Sequence, residues 1–563
     1  MSHRSIPQAF LDRVASAPAA PALIVWNNDD TRQTFTAEEL LTKVRTTADR
    51  LRDQGLRRNE IIILALDHSS ELVCTFLASL FVGAKPVICS YPTSQVDDDA
   101  YLTQVAELIE YSDADAVIVE PGLERRLQNL VQHYCRVHSM LGIVSGDRIV
   151  LDDETEFGQG EEIAYLQYTS GSTGRQKGVM LSHRAVMANV ESMTLAYEIT
   201  DQDVCVNWLP LYHDFGLVFG LLTPLLNGVV TVLISPHKWV RRPSLLLKAV
   251  DEYRATISAL PNFALIHLSR TVRASAVPDY DLSTLRLLLW GSEPCRMSSH
   301  QTFMEHFSRT GISPETLTAG YGMAELTLAV TSASLHTLTE TQSLEGISSR
   351  RSAIVDLSDD HVTSYVSCGA PTPGNEVRIV ATDGAVLGER SIGEITVRSP
   401  SLFSGYHLRP DLTASVLQDG WYFTGDLGFM ADGQLFVCDR KKDLVIVGGH
   451  NVYPADVEAI AQQHPDVRST GVVAFGIPNE QTGTESLAVA CELTGRIVPQ
   501  RRLEIEAELR KAILAAIGIA PSRVFLVSRG QLQKTRNGKL ARSLNRDYFS
   551  SQANQKTRRL AAG

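Results

Sequence analysis

The sequence predicts an α/β fold in more than one domain, and three observations carry this. At 563 residues the chain is too long for one ordinary hydrophobic core. Helical and extended patterns alternate from the start, which implies largely parallel sheets joined by helices. After about residue 365 the texture changes to short extended runs, and a smaller α+β unit closes the chain.

In order, Ala37–Gln54 has the period of a helix and Glu60–Leu66 reads as a buried strand. Ser70–Val82 is again helical, Lys85–Ser90 extended and Asp113–Val119 a further buried strand. The run Gly216–Pro236 is about long enough to cross a bilayer, but Pro224, Asn227 and Gly228 interrupt it and Val229–Ile234 is mostly β-branched. A buried helix, a turn and a buried strand explain it better. Beyond 365, Glu376–Val380, Gly393–Arg398, Leu435–Cys438 and Leu444–Val447 read as strands. Ala455–Gln463 and Arg501–Ile517 read as helices, with a strand at Gly471–Phe475. The charged run Asp439-Arg-Lys-Lys-Asp443 reads as a solvated hinge. It divides the chain into residues 1–438 and 439–563.

Hydrophobic residues make up 44% and charged residues 21%, as expected of a soluble globular protein. A net charge of −12 argues against general nucleic-acid binding. The charge is uneven, however: residues 521–563 hold ten Lys and Arg against Asp547 alone. A solvated tail accounts for the last dozen residues, while Lys534–Arg542 suits an anionic ligand or partner. Eight scattered cysteines without a C-x-x-C pair suggest neither a disulfide framework nor a zinc site. Asp12 and Arg13 stand where a signal peptide would be apolar. The expectation is a cytoplasmic protein with no membrane span.

Residues 168–178, YTSGSTGRQKG, hold almost nothing that a core would use. Thr169, Ser170, Gly171, Ser172, Thr173 and Gly174 run into Arg175 and Lys177. Glycines let consecutive N–H groups point inward at an oxyanion, and the cations neutralise it. With a strand at Ile163–Tyr168 and a helix at Ala185–Leu195 after a Ser182 cap, the segment reads as strand, loop and helix: a phosphate cradle. The Walker spacing is not met.

Five further segments have compositions that a core would not choose. Trp208-Leu-Pro-Leu-Tyr-His213-Asp214-Phe-Gly sets an imidazole and a carboxylate among apolar residues. Gly291-Ser292-Glu293-Pro294 follows the run Leu285–Trp290, at the strand end where α/β sheets bind ligands. Tyr321-Gly322-Met323-Ala324-Glu325 offers an aromatic face and a carboxylate, and Phe423-Thr-Gly-Asp426 puts a carboxylate in a tight turn. Lys534-Thr-Arg-Asn-Gly-Lys539 is a basic turn. Taken singly, each has an ordinary explanation: a satisfied histidine, an Asp capping its own backbone, a solvated lysine. Their joint order and spacing do not.

Together these segments resemble the adenylate-forming superfamily of acyl-CoA synthetases, peptide-synthetase adenylation domains and luciferases, over roughly residues 8–545. The resemblance implies a large N-terminal domain with parallel-type sheets and a distorted β-barrel subdomain, and a small mobile α+β C-terminal lid. It also implies a two-step reaction: a carboxylate attacks the α-phosphate of ATP, and a thiol then takes the acyl group. By similarity, Thr169–Lys177 would hold the β- and γ-phosphates, and Glu325 would coordinate Mg²⁺. Tyr321, with Gly322, Met323 and Ala324, would hold adenine beside Gly291–Pro294. Asp426, aided by Arg440, would bind the ribose. Lys539 would bridge the acyl carboxylate and the α-phosphate, with His213 and Glu325 as the other catalytic candidates. Lys442 occupies the hinge position, and Gly448 and Gly449 would line the thiol's approach.

The segments Trp208–Leu217, Ser235-Pro, Arg242-Pro243, Pro261-Asn-Phe-Ala and Ser367-Cys-Gly-Ala-Pro are similar to the fatty acyl-AMP ligase branch, which typically has Met at the position of Phe215. Glu325 and Gly369 lie 44 positions apart, and the excess over acyl-CoA synthetases, roughly 332–363, is polar. A tolerated surface loop would account for it. The resemblance implies instead an insertion that restrains the lid and disfavours coenzyme A, so that the acceptor is the phosphopantetheine thiol of an acyl carrier protein. Phe215, Leu217, Phe219 and Phe263 form the expected acyl pocket, which favours a fatty acid over a polar one. Asp214 reads as structural or as orienting His213. The alternatives are an acyl-CoA synthetase, an amino-acid-type adenylation enzyme and a catalytically silent adenylate-binding scaffold.

Overall fold

A computed structural model describes residues 5–27, 29–91, 98–131, 135–144, 158, 160–169, 176–343, 364–447, 450–479, 484–534 and 540–561. Six parallel strands form the middle of a nine-stranded sheet, in the order Leu317–Gly322, Leu287–Gly291, Ile257–Pro261, Val204–Asn207, Val230–Ile234 and Pro21–Trp26. Antiparallel strands finish it, Arg32–Thr36 at one edge and Ala329–Ser332 with Ala370–Pro371 at the other. A second, four-stranded sheet is wholly parallel: Lys85–Ile88, Ile61–Ala65, Ala116–Val119 and Arg136–Ser139. Parallel strands buried on both faces read as unbroken apolar runs, which is why Ile61–Ala65, Lys85–Ile88 and Ala116–Val119 were legible in the sequence, whereas the half-buried Arg136–Ser139 was not.

The helices are fixed by their ends. Thr36 and Glu39 form a reciprocal capping box at the start of Ala37–Asp53. Ser69 caps Ser70–Val82, which stops at Gly83 in the left-handed conformation and is buried on nearly every side.

Beyond residue 370, Glu376–Val380, Gly393–Arg398 and the long strand Trp421–Ala431 make an antiparallel sheet, with Leu417–Gln418 and Gln434–Arg440 also pairing to the long strand. This is the half-barrel part of the fold. The C-terminal α+β part packs helices Pro454–Gln462, Pro499–Ile517 and Arg542–Ala561 with the strands Val467–Asn479, Thr484–Leu493 and Arg523–Val527. Val457, Val472, Val489 and Leu509 lie in its own buried core.

Three local expectations change. Residues 163–169 and 177–182 are paired antiparallel strands, with Thr169 opposite Lys177, and the helix His183–Ala196 begins only after the second strand. Ser182 does cap it, accepting from the Ala185 N–H at 3.1 Å. The six-residue strand carries the chain about 20 Å, so the helix terminus stands at the far end of the hairpin from the connecting loop and does not complete a strand–loop–helix cradle. Residues Ser170, Gly171, Ser172, Thr173 and Gly174 lie outside the described residues.

Asp426, expected in a tight turn, instead lies within the long strand. The register slips there, so Thr424, Gly425 and Asp426 bulge opposite Ile395, with Gly425 at φ 73°. The expected solvated hinge is also less loose than its charge suggests. Lys441–Asp443 forms one short helical turn. Lys441 pairs with Glu394 at 2.7 Å on one side, and Asp443 pairs with Arg542 at 3.4 Å on the other. The Asp439 carboxylate accepts from the Ala455 N–H at 3.0 Å.

The apolar run after residue 214 forms a π-helix, Phe215–Leu222, then a short helix Thr223–Asn227, a left-handed Gly228 and the strand Val230–Ile234. Among the described residues no helix is long and apolar enough to cross a membrane. The π-helix is wedged against the preceding loop: a Cβ on Gly216 would stand 2.3 Å from the Pro210 carbonyl oxygen and one on Gly220 would stand 2.3 Å from the Asn207 amide. Gly216→Ala is therefore expected to cost about 1–3 kcal/mol by overpacking, read as an earlier urea unfolding transition of the large domain with unchanged far-UV circular dichroism at zero urea.

Candidate active site

One cleft of about 3170 Å³ lies between the larger sheets and the C-terminal part, and most of the predicted site residues line it. Thr169 and Lys177 reach it from the base of the hairpin. Gly291, Ser292, Glu293 and Pro294 line it from the C-terminal end of one parallel strand, and Tyr321, Gly322, Met323, Ala324 and Glu325 from the end of its neighbour. Asp426, Arg440 and Lys442 come from the antiparallel sheet and the turn after it.

The backbone of these strand ends is constrained. A Cβ on Gly291 would lie 2.8 Å from the Gly320 carbonyl oxygen, and one on Gly322 would lie 1.9 Å from that of Leu328. Ser292, at φ 66°, turns the chain into the cleft. The Glu293 carboxylate accepts from the Phe263 N–H at 3.0 Å, which ties the strand-end loop to the next segment over.

The electrostatic centre is Asp426. The Tyr321 hydroxyl donates to its Oδ2 at 2.7 Å, and the Arg440 guanidinium stands 3.4 Å from Oδ1. Arg440 is its register partner on the adjacent strand. Burial pushes the Asp426 carboxyl above its ordinary value, while Arg440 and the Tyr321 bond oppose this; Asp426 in turn holds Arg440 above its usual range. A buried carboxylate with a fixed donor and cation beside it suits a diol, which can give two more hydrogen bonds to the same oxygens.

Glu325 lies on a short turn, Ala324–Leu326. Its Oε1 accepts from the Tyr406 hydroxyl at 2.7 Å, and the Tyr422 hydroxyl lies 3.3 Å from that of Tyr406. No cluster of three His, Cys, Asp or Glu that could hold a metal occurs among the described residues. A single carboxylate in a cleft fits Mg²⁺ of the kind that takes its other ligands from water and substrate phosphates.

His213 also lines the cleft, its Nδ1 2.9 Å from Asp214 Oδ1. The same carboxylate oxygen accepts from the Phe215 N–H at 2.7 Å, so Asp214 both orients the imidazole and starts the π-helix. Of the four expected pocket residues, Phe215 and Phe263 line the cleft, whereas Leu217 and Phe219 do not. The π-helix turns Leu217 into one buried core and Phe219 into another, against Tyr197. The cleft's aromatic wall instead includes Trp208, which stacks on Trp239 at 3.5 Å and meets the edge of Phe263.

Lys539, Gly448 and Gly449 lie outside the described residues. Tyr406, Tyr422 and Trp239 were not singled out in the sequence. Gly405-Tyr406, after a Ser-rich stretch, was the available signal for the first of them.

Comparison with known proteins fits this geometry. The family model for AMP-binding enzymes matches residues 10–407, and that for the AMP-binding enzyme C-terminal domain matches residues 456–539. The chain belongs to this adenylate-forming family, and as a class it is an ATP-dependent carboxylate-activating ligase. A Moorena producens medium-chain-fatty-acid–[acyl-carrier-protein] ligase, JamA, is 29% identical over 93% of this chain and 91% of its own length. The Mycobacterium tuberculosis long-chain-fatty-acid–AMP ligase FadD28 is 29% identical over 96% of this chain and 97% of its own. A Caulobacter vibrioides protein with a provisional acyl-CoA synthetase name is 31% identical over 88% and 87%. Among solved structures, a fatty acyl-adenylate ligase from work on the E. coli and L. pneumophila enzymes superposes with a TM-score of 0.86 at 26% identity, covering 99% of this chain and all of that one. The relatives thus place the chain beside the fatty acyl-AMP ligases.

The sign of the Asp426 shift has a measurable consequence. A carboxyl whose folded pKa is raised binds its proton more tightly when folded, so its contribution to stability is present below the ordinary carboxylate range near 3.8 and is lost as pH rises through the folded value. Asp426→Asn is expected to raise the thermal midpoint of the ligand-free protein at neutral pH, with the gain shrinking toward about pH 4, read by calorimetry across a pH series.

Proposed function

We propose that this protein activates a fatty acid with ATP and passes the acyl group to the phosphopantetheine thiol of an acyl carrier protein. The observation that carries this reading is that Tyr321, Glu325, Asp426 and Arg440 share one cleft with an aromatic wall of Trp208, Phe215 and Phe263.

In the first step a carboxylate oxygen attacks the α-phosphorus of ATP, the bond to the β-phosphate breaks and pyrophosphate leaves. Two anions must meet, so positioning and charge neutralisation do most of the work. Asp426 accepts the ribose hydroxyls, and Tyr321 and the backbone of Gly291–Pro294 and Gly322–Ala324 hold the base. Thr169–Lys177 would hold the β- and γ-phosphates. Mg²⁺ bound at Glu325 would neutralise phosphate charge. His213, fixed by Asp214, orients the acyl carboxylate, and Lys539 bridges it to the α-phosphate. In the second step the thiol sulfur attacks the acyl carbonyl and AMP leaves.

The chain divides into residues 1–438 and a lid of residues 439–563, turning at Lys442. The family matches leave residues 408–455 between them, which is consistent with that boundary. The thiol approaches past Gly448 and Gly449.

The choice of acceptor rests on the polar insertion at about 332–363. Thr341–Ser343 within it and Ser364–Val366 just after it pair as antiparallel strands, and residues 344–363 between them lie outside the described residues. The returning strand reaches the lid: the Tyr365 hydroxyl is 3.3 Å from Asp456 Oδ1, and its ring packs in a cluster that includes Tyr453. An insertion rooted against the lid supports restraint of the pose that coenzyme A would need. JamA, whose name states carrier-protein ligation, supports the same acceptor. The name of the Caulobacter relative favours the second reading, a coenzyme A thioester.

The test is acid-dependent ATP–pyrophosphate exchange over fatty acids and amino acids, followed by a chase with coenzyme A or a holo-carrier protein. Exchange with fatty acids and acyl transfer only to the carrier is expected. Rapid acyl-CoA formation overturns the acceptor, and preference for an amino acid overturns the substrate. Lys539→Ala should slow adenylation by about 10²–10³-fold, with nucleotide affinity nearly unchanged by equilibrium dialysis.

A further inference from the structure

Several candidates stand outside the roles assigned so far, and the best supported is a tyrosine. Tyr406 ends a two-residue strand, Gly405–Tyr406, that pairs antiparallel with the second strand of the phosphate-facing hairpin, opposite Val179. Its surroundings are fixed from several sides. The Ser404 N–H donates to the Met180 carbonyl at 2.9 Å, and the His407 N–H to that of Gly178 at 2.7 Å. The Tyr406 N–H donates to Thr413 Oγ1 at 2.9 Å, and the Phe403 N–H to the Glu325 carbonyl at 2.9 Å. The segment 403–407 therefore staples the hairpin to the Glu325 turn.

Within that staple the Tyr406 side chain touches both polar groups. Its hydroxyl donates to Glu325 Oε1 at 2.7 Å, and the face of its ring lies 4.7 Å from the Lys177 ammonium. Since the hydroxyl has one proton and spends it on Glu325, the Tyr422 hydroxyl at 3.3 Å is the donor of their mutual contact. A 2% exposed tyrosine ring with edge contacts to Phe403 at 4.9 Å cannot swing away. A carboxylate that serves a hard cation needs one oxygen committed elsewhere so that its plane and free lone pairs point one way. A lysine that faces phosphate needs a resting place that is neither a carboxylate nor bulk water, and a π face supplies one.

We propose that Tyr406 is a positioning residue for adenylate formation: its hydroxyl orients Glu325 toward the metal and its ring holds Lys177 on the phosphate side, which makes the carboxylate and the ammonium a single preset unit. This rests on the reading of Glu325 as the Mg²⁺ ligand and of Lys177 as a phosphate contact. Tyr406 itself touches neither substrate nor metal in this role.

The test separates the two readings. Mn²⁺ is titrated by electron paramagnetic resonance into the full-length protein with α,β-methylene-ATP, for wild type, Tyr406→Phe, Tyr422→Phe, Glu325→Gln and the double variant Tyr406→Phe/Glu325→Gln. The ring and the cation–π contact survive in Tyr406→Phe, and only the Glu325 bond is lost. Mn²⁺ affinity in the ternary complex should fall about 10-fold, with the thermal midpoint and metal-free nucleotide affinity unchanged. In pyrophosphate exchange the apparent Mg²⁺ constant should rise by a similar factor, while the rate at saturating Mg²⁺ recovers. Tyr422→Phe should bind Mn²⁺ as wild type does. The double variant should bind no more weakly than Glu325→Gln alone. Wild-type Mn²⁺ affinity in Tyr406→Phe beside a loss in Glu325→Gln overturns the role of Tyr406 and leaves the metal reading intact. Undiminished affinity in Glu325→Gln overturns both. If Tyr406→Phe lowers the thermal midpoint, the double-variant comparison decides, and independent, additive losses overturn the proposal.

Discussion

The arrangement depends on one buried carboxylate. Asp426 is 9% exposed, and taking a charge that far from water is costly unless it is paired and hydrogen-bonded. The two groups that meet this cost come from elsewhere. Tyr321 stands at the end of a central parallel strand, and Arg440 at the end of the last strand before the C-terminal part. The carboxylate therefore joins the parallel sheet, the antiparallel sheet and the start of the proposed hinge at one point. Its placement also requires the bulge at Thr424–Gly425, where Gly425 N–H donates to Glu394 and Asp426 N–H to Thr424. Packing and the proposed nucleotide contact meet in the same few ångströms, so loss of either partner, Tyr321 or Arg440, would loosen more than the proposed contact.

Much of the fold was legible because its signals are local. Ser70–Val82 matched the sequence reading to the residue, since a serine cap and a terminal glycine bracket it. Glu376–Val380 and Gly393–Arg398 also matched, since alternation and turn residues define them. The misreadings have equally local causes. Lys177–Ser182 was not read as a strand because Gly178 and the short apolar stretch after it carry no β-specific pattern; the strand exists through pairing with residues 163–169. Thr424-Gly-Asp426 has the composition of a turn, and only the neighbouring strands reveal it as a bulge. Leu217 and Phe219 belong to an apolar run from which sequence cannot choose the cleft-facing members, since a π-helix changes the angular spacing.

The site was legible in its types more than in its partnerships. Order and composition singled out Tyr321, Glu325 and Asp426, the family resemblance added Arg440, and the fold brings all four to one cleft. What the sequence withheld was how they are held. Tyr406 lies 81 positions from Glu325, and Asp426 105 from Tyr321. Contacts at such separations come from topology, which no local motif encodes.

The ion pairs beside Lys442 bear on the balance between the two poses of the proposed rotation. Lys441–Glu394 binds the chain to the large body just before the pivot, and Asp443–Arg542 binds it to the lid just after. Turning about the residue between them leaves both pairs whole. Contacts that span the pivot include the hydrogen bonds of Asp439 with Ala455, Arg270 with Ser469 and Tyr365 with Asp456, and the buried cluster that Tyr453 shares with Tyr365 and Phe429. At about 1 kcal/mol net each, the polar contacts would cost a few kcal/mol to break. On the proposed rotation, the arrangement seen here would be held by the contacts between body and lid and not by the pivot itself.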